Sequence, residues 1–297
     1  TYNAVYNGVD YSSVFDPYYY ADQYADLKQA YGYDCSQLLQ HFINYGMSEG
    51  RQAKASFNAT SYRLQYSDLR RAYGNDLKPY YMHYLQWGRS EGRQGTGCNV
   101  LQNGLTRYDG IDYAAVYDYN TYVSQYSDVF RAYGYDDQAV LLHFIHYGMN
   151  EGRIAKASFD VTSYRLQYSD LRRAYGNNLK SYYLHYLQWG RQEGRKGSGC
   201  IRLQGAITTL NGTDYGKVYD YQYYIDKNPD VFRAYGYDDQ AVLAHFVNYG
   251  MKEGRIAKAS FVVNNYKADL RQAYGNNTAM YYNHYINWGY KEGRKGN

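Results

Sequence analysis

The chain contains little proline and little cysteine, and it has neither a long apolar run nor a large excess of one charge. Only three of its 297 residues are proline and three are cysteine, whereas 45% are hydrophobic and 20% are charged. This composition excludes a collagen-like repeat and a disordered polyelectrolyte, because the apolar side chains suffice for a sizeable core. The odd number of cysteines argues against a domain built on disulfides, and we expect free thiols at Cys35, Cys98 and Cys200.

Two further absences limit the partners. No stretch approaches the ~18 consecutive apolar residues of a membrane span. No basic and then apolar leader opens the chain at Thr1, so we expect any export signal to have been removed or to lie outside this fragment. The net charge of +4 comes from 32 Lys plus Arg against 28 Asp plus Glu, which is too balanced to predict a nucleic-acid partner.

The motifs of common catalytic sites are missing as well. The sequence has no P-loop, dinucleotide-binding, zinc-protease or Ser-His-Asp signature. We therefore expect no enzyme, no metal and no cofactor. Six of the seven histidines share one position of a repeat, and we expect them to be structural residues that bond to the backbone of the following turn. They are His41, His83, His143, His185, His245 and His284.

The sequence is rich in tyrosine, with 45 residues, and it is repetitive. The triplet Glu-Gly-Arg occurs six times, and Glu49, Glu151 and Glu253 lie 102 residues apart. The chain therefore contains three tandem modules, each with two related halves. The predicted modules are residues 1–94, 108–196 and 209–297, with joints at 95–107 and 197–208. The run from Thr162 to Arg173 is shortened to residues 264–272 in the third module, so part of a helix is expected to be lost there.

Each half is expected to form three short helices. Asp68 lies at the start of a short segment and Gly74 follows its end. This order is typical of a helix, which favours an acidic residue in its first turn and a glycine after its last residue. Asn228 followed by Pro229 is a helix start signal. The third helix is predicted from apolar stripes that end at a glycine. These stripes are Leu38, Phe42 and Tyr45 before Gly46, and Tyr80, Tyr84 and Trp87 before Gly88.

The predicted fold is all-α, with three modules of two half-repeats and short strand or hairpin segments at the joints near 97–113 and 199–215. The Glu and Arg of each Glu-Gly-Arg turn are expected to hold neighbouring helix ends together. The joints, through Gly95 to Gly97 and Gly197 to Gly199, are expected to be partly flexible.

The partner surface is expected where the modules agree with one another but the two halves differ. One candidate set is Tyr62, Arg63, Arg70 and Arg71 with their copies Tyr164, Arg165, Arg172 and Arg173; a second is Tyr80 and Tyr81 with Tyr182 and Tyr183. On a helix, Tyr62 shares an inward stripe with Tyr66, whereas Arg63 and Arg70 lie on another face and are expected to meet solvent. The alternative is that the two halves merely pack differently.

The repeat pattern resembles a known class of bacterial surface repeat. Asn228-Pro229-Asp230-Val231, followed by His245-Phe246 and by Gly250 to Arg255, is similar to a helical repeat of secreted and surface proteins of bacteria. Its tyrosine-rich, paired form resembles that of surface proteins of Gram-positive gut bacteria. Among these, the whole chain looks like the immunoglobulin-binding B-cell superantigens, which engage heavy-chain variable regions outside the antigen site.

This resemblance implies a secreted or cell-surface protein that binds antibody variable domains as a monomer with several binding modules. Tandem copies suit such multivalent binding. The alternative is a cell-wall or host glycan-binding array, in which exposed Tyr and Trp rings stack on sugars. A third reading is the targeting portion of an exported enzyme.

Overall fold

The computed structural model describes residues 1–297, apart from the side chain of residue 268. Within this described chain, three similar modules follow one another, and each consists of two halves of three short helices, as the sequence predicts. By its internal contacts the chain divides into two compact units. One unit comprises Thr1–Gly148 with Ile154–Ala157, and the other comprises Met149–Arg153 with Ser158–Asn297.

The first unit holds the first module and the first half of the second. In each half, two helices are followed by a third whose last turn widens into a π-helix. The α-helices are Pro17–Gln23, Ala25–Tyr31, Cys35–His41, Ala59–Gln65, Ser67–Tyr73, Lys78–His83, Tyr119–Gln125, Ser127–Tyr133 and Asp137–His143, and the π-helices are Phe42–Gly46, Tyr84–Gly88 and Phe144–Gly148.

The second unit repeats this order. Its α-helices are Met149–Glu151, Val161–Gln167, Ser169–Tyr175, Leu179–His185, Tyr221–Lys227, Pro229–Tyr235, Asp239–His245, Met251–Glu253, Val263–Tyr266, Arg271–Tyr274 and Thr278–His284; its 3-10 helix is Ala268–Leu270, and its π-helices are Tyr186–Gly190, Phe246–Gly250 and Tyr285–Gly289. Val263–Tyr266 has four residues where Val161–Gln167 has seven, which confirms the predicted loss of part of a helix.

Each module contains one short antiparallel hairpin near its start. The strand pairs are Val5–Tyr6 with Val9–Asp10, Arg107–Tyr108 with Ile111–Asp112, and Thr209–Leu210 with Thr213–Asp214. At the first turn, Asn7 and Gly8 both have positive φ, of 47° and 79°. Asn-Gly favours such a turn because both residues tolerate this conformation. The later two hairpins lie at the joints, where the sequence predicts strands.

Helix starts follow local chemistry. The carboxylates of Asp16, Asp118 and Asp220 accept backbone N–H groups of the helices that they precede. Pro229 is the first residue of its helix and Asn228 is the N-cap, as predicted. The Asn228 amide, however, donates to the carbonyl of Tyr224 at 2.8 Å and does not cap the helix.

Aromatic rings join the two halves of the first module into one core. In the first unit, the fully buried Tyr81 of the second half lies 5.5 Å from Phe42 of the first half and 5.1 Å from Phe57, between ring centroids. Such tilted and edge-to-face pairs are favourable, and each buried ring removes a large apolar area from water. Helices of about seven residues are unstable alone, so this shared core holds them.

Candidate binding surface

The third helix of each half ends with one exposed aromatic ring. Among the described residues, these rings are Tyr45, Trp87, Tyr147, Trp189, Tyr249 and Trp288, and each is between 51% and 59% exposed. Tyrosine occupies the position in the first halves and tryptophan in the second halves. A single exposed apolar side chain is common on protein surfaces and needs no explanation. An exposed ring at the same position of every half, however, indicates a candidate contact surface. We call this set the exposed rings.

Tyr45 and Trp87 are the last residues of the predicted apolar stripes, but both point to solvent. Each follows an inward residue by seven positions, and seven residues return to the same face of an α-helix. However, Phe42–Gly46 and Tyr84–Gly88 are π-helices, whose wider turn changes that register and points the ring to solvent. The glycine that follows each ring is the sequence signal for the change from α-helix to π-helix. Its role can be recognised only from the tertiary contacts that it makes.

A buried tyrosine hydroxyl explains why that glycine is needed. Tyr62 Oη lies 2.9 Å from His83 Nδ1. A Cβ atom added to Gly88 would lie 2.2 Å from the same hydroxyl, so a larger residue there would displace it. Gly46 has the same relation to Tyr20, and it is the last residue of its helix, as predicted. The chain turns four residues later, at Gly50, where φ is 73°.

The histidines bond to tyrosine and not to the following backbone, which corrects the predicted partner. The distances between the Tyr hydroxyl and His Nδ1 are between 2.7 and 3.0 Å in all six halves of the described chain. The His83 side chain is only 11% exposed. Burial lowers its pKa, and the nearby charge of Arg93 lowers it further, so the neutral imidazole is favoured. His83 therefore acts as a structural residue beside the exposed ring.

The Glu-Gly-Arg turn lies directly after the exposed ring. Glu91 N donates to the carbonyl of Trp87 at 3.0 Å. Arg93 bonds to Glu91 at 2.6 Å and to Asp68 at 2.8 Å, and its guanidinium lies 4.7 Å from the centroid of the Tyr66 ring. Hydrogen bonds from Arg93 lower the pKa of Asp68. The turn thus ties the end of one helix to the start of another, as predicted.

Ten of the twelve residues predicted to bind a partner are buried. They are Tyr62, Arg63, Arg70, Tyr80, Tyr81, Tyr164, Arg165, Arg172, Tyr182 and Tyr183, each at most 6% exposed. The expectation that Arg63 and Arg70 meet solvent is therefore wrong. Of the twelve, only Arg71 and its copy Arg173 are exposed.

The buried tyrosines and Arg63 are core residues, and Arg63 Nε is buried without a hydrogen-bond partner. Tyr80 Oη donates to the carbonyl of Gly74, and Tyr81 Oη donates to that of Arg51, both at 2.7 Å. The guanidinium of Arg63 lies 5.8 Å from the centroid of the Tyr80 ring. Tyr182 and Arg165 repeat this stacking at 5.7 Å in the second unit. These residues support the fold and present no surface of their own.

Arg70 is buried because the following module covers it. Its Nε atom lies 3.3 Å from Asp137 Oδ1, and its Nη1 atom donates to the carbonyls of Arg63 and Leu64. Asp137 Oδ2 accepts from the backbone N–H of Leu105 at 2.8 Å. These bonds connect the second half of one module, the joint and the first half of the next. They hold the joint in place, where the sequence favoured partial flexibility.

The second unit contains the same ion pair. Arg172 Nε lies 3.0 Å from Asp239 Oδ1, and Asp239 Oδ2 accepts from the backbone N–H of Ile207 at 2.9 Å. The side chains of Arg172 and Asp239 are 1% and 6% exposed. We call these two pairs, Arg70–Asp137 and Arg172–Asp239, the joint ion pairs.

A small open cavity adjoins each joint ion pair. The first has a volume of about 200 Å³, and Ser67, Arg71, Leu105 and Gln138 are among its lining residues. The second, of about 230 Å³, has Ser169, Arg173, Ile207 and Gln240 at the corresponding positions. The two exposed arginines of the predicted site therefore line equivalent cavities.

In the part of the chain that the structure describes, no group of three or more His, Cys, Asp or Glu side chains could hold a metal ion. None of the described helices has the length and apolar character that a bilayer-spanning helix requires. The three thiols are free, as expected. No protein-family model matches the chain, and comparisons with curated proteins and with solved structures find no match either.

Proposed function

We propose that the chain is a non-catalytic binding protein of a bacterial surface and that its exposed rings contact the partner. The observation that carries this proposal is the exposed Tyr or Trp at one position of every half. Each ring lies on a turn whose orientation is set by a buried Tyr-His-Gly contact, so little conformational entropy is lost on binding. Near-copies of one contact favour multivalent binding, since linked sites raise apparent affinity without new contacts.

The favoured partner is the immunoglobulin heavy-chain variable domain. Tyrosine, tryptophan and arginine dominate the energetics of protein interfaces, and the chain exposes Tyr and Trp rings and also Arg71 and Arg173. The resemblance of the repeat to immunoglobulin-binding superantigens supports the same partner. Binding to the framework of the domain would leave the antigen-binding loops free.

The second candidate is a glycan of a cell wall or of a host. The observation that favours it is that polar groups lie next to an exposed ring in the chain. Beside Trp87, for example, Ser90 Oγ donates to its carbonyl at 2.7 Å, and Glu91 is exposed. A flat ring with hydrogen-bonding groups at its edge suits the apolar face and the hydroxyls of a sugar.

One capture experiment separates the two candidates. The full chain is immobilised and offered serum immunoglobulin, purified peptidoglycan and mucin. Capture of immunoglobulin Fab fragments supports the favoured partner, and capture of peptidoglycan or mucin without Fab supports the glycan. Binding of neither class would contradict the proposal.

The role of the exposed rings is tested with the variant W87A/W189A/W288A. Interface hot spots cost at least about 2 kcal/mol on truncation, so we expect affinity to fall by about 30-fold or more at each affected contact. The control Y33A/Y108A removes two other exposed rings, which are 46% and 38% exposed. Both variants should keep the wild-type circular dichroism spectrum and melting temperature. Equal affinity in the wild type and the triple variant would show that the rings are not the contact.

We also propose that the protein is secreted or held at the cell surface and acts as a monomer with more than one binding site. Titration calorimetry with monovalent Fab fragments should then give more than one fragment per chain. A stoichiometry of one would contradict the multivalent arrangement.

A further inference from the structure

The two joint cavities have the same construction in separate units. Their lining residues Ser67, Arg71 and Gln138 correspond to Ser169, Arg173 and Gln240, 102 positions later. Asp137 and Asp239 also line the respective cavities. A feature that recurs with the same residue types is a property of the repeat and not of one irregular loop.

The carboxylate in each cavity is already neutralised. In the first, Asp137 receives a bond from Arg70 on one oxygen and from the Leu105 amide on the other. Asp239 is bound in the same way by Arg172 and Ile207. Since both oxygens have donors and the charge has a buried counter-ion, these carboxylates do not compensate a second arginine.

Each cavity therefore retains one uncompensated guanidinium. Arg71 and Arg173 are exposed, and within the described residues neither has an ionic or hydrogen-bonding partner. The first cavity also contains Arg107, which is 72% exposed and lies 3.7 Å from Asp112. The second has Thr209 at that position, so the feature common to both is a single free arginine beside a serine and a glutamine.

We infer that each joint cavity binds one carboxylate, supplied by an Asp or Glu side chain of the protein partner. A guanidinium presents paired donors that match a carboxylate, and the serine hydroxyl and glutamine amide offer further donors. One positive charge suits a monoanion. A phosphate dianion would leave charge uncompensated close to the carboxylate of Asp137 or Asp239. This inference rests on the proposed function, in which the partner is a protein domain.

The repeat itself provides a matched pair of variants. R71Q/R173Q removes the free arginine of each cavity, and glutamine is the natural residue at the equivalent Gln272 of the third module. R131Q/R233Q makes the same change at the corresponding position of the first halves, and neither residue lines a joint cavity. Exposed positions of this kind usually change stability by less than ~0.5 kcal/mol, so both variants should keep the wild-type melting temperature.

The first measurement is direct and does not need an antibody. The Nε resonances of arginine are followed by NMR while N-acetyl-glutamic acid α-amide is added to the full chain, with the neutral glutamine analogue at equal ionic strength as control. We expect saturable shifts of two resonances that are absent from R71Q/R173Q. Shifts of equal size at Arg131 and Arg233, or with the neutral analogue, would overturn the inference. Binding of N-acetylneuraminic acid at least tenfold more tightly would also overturn it, because the carboxylate would then come from a sugar.

The second measurement is the affinity for Fab fragments. We expect R71Q/R173Q to bind at least tenfold more weakly than the wild type and R131Q/R233Q to bind like the wild type. Equal affinity of the two variants would overturn the inference while leaving the proposed function intact. If the wild type binds no Fab, the antibody variable domain is not the partner, and the outcome of the NMR titration alone decides whether the cavities bind a carboxylate.

Discussion

Replacing Asp137 by asparagine would leave the buried guanidinium of Arg70 without a counter-ion. The two side chains are 0% and 8% exposed, so water cannot take over the role of the carboxylate. Asparagine has nearly the same shape, and its oxygen can still accept from the Leu105 amide. Its NH₂ group would then face Arg70 Nε, which is also a donor. The substitution therefore removes the charge and one hydrogen bond without creating a cavity.

The magnitude follows from this burial. Removing one partner of a buried ion pair typically costs about 3–5 kcal/mol, because the remaining charge is desolvated and unpaired. An exposed pair contributes about 0–1 kcal/mol. The pair between Arg93 and Asp68 is of the second kind, since Asp68 is 58% exposed. D68N is therefore the matched control, and D239N should reproduce the effect of D137N in the second unit.

Differential scanning calorimetry of the full chain measures the effect. For a unit of this size, 1 kcal/mol shifts the melting temperature by roughly 2–4 °C, so D137N should lower the first affected transition by roughly 6–20 °C. The variant R70M/D137L removes both charges but leaves the carbonyls of Arg63 and Leu64 and the Leu105 amide without these partners, so it should recover only the part of the loss that is due to the unpaired charge. A shift for D137N no larger than that for D68N would refute the structural role of the joint ion pairs.

Three further outcomes are expected. G190A places a Cβ atom 2.1 Å from Tyr164 Oη and should lower the free energy of unfolding, measured by urea titration, by about 1–3 kcal/mol. The double variant G190A/Y164F removes the hydroxyl and should recover part of this loss. Absence of recovery would contradict the contact. Burial lowers the pKa of His83 and His185, whereas unfolded histidine titrates near ~6.5, so the unfolded state binds more protons below that pH. The urea concentration at the unfolding midpoint should therefore decrease as the pH is lowered from 7.5 to 5.5. A midpoint that stays constant would contradict this prediction. Burial raises the pKa of Tyr80 and Tyr182 to about 12, above the ~10 of unfolded tyrosine, so the stability should fall as the pH rises above ~10. Absorbance at about 295 nm should show that tyrosinate forms together with unfolding. Titration of these tyrosines before unfolding would contradict the prediction.

The fold class could be predicted because its signals are local or repeated. Asn7-Gly8 favours a tight hairpin turn through its own backbone preferences, and Pro229 fits the first turn of a helix wherever the helix later packs. The repeat period showed the modules directly. The shortened segment of the third module also follows from counting residues.

The candidate site could be predicted only in part. Arg71 and Arg173 are exposed as expected, but the exposure of Tyr45 and Trp87 does not follow from the α-helical stripes in which they lie. A π-turn depends on the fit of Tyr20 against Gly46, two residues in different helices. The π-turn is therefore stabilised by tertiary packing, which the residue pattern of a single helix does not reveal.

The sequence by itself determined the modules, the short helices and the structural role of the histidines. Only the tertiary structure decided which faces meet water. Arg70 and its copy have the pattern of a solvent-facing residue, yet Asp137, 67 positions later, covers Arg70. One difference between the modules is consistent with this contact, since Cys35 occupies in the first module the position that Asp137 occupies in the second. A charge is stable in a protein interior only when a distant partner neutralises it, and that partner's position is set by the packing of whole helices and not by its neighbours in sequence.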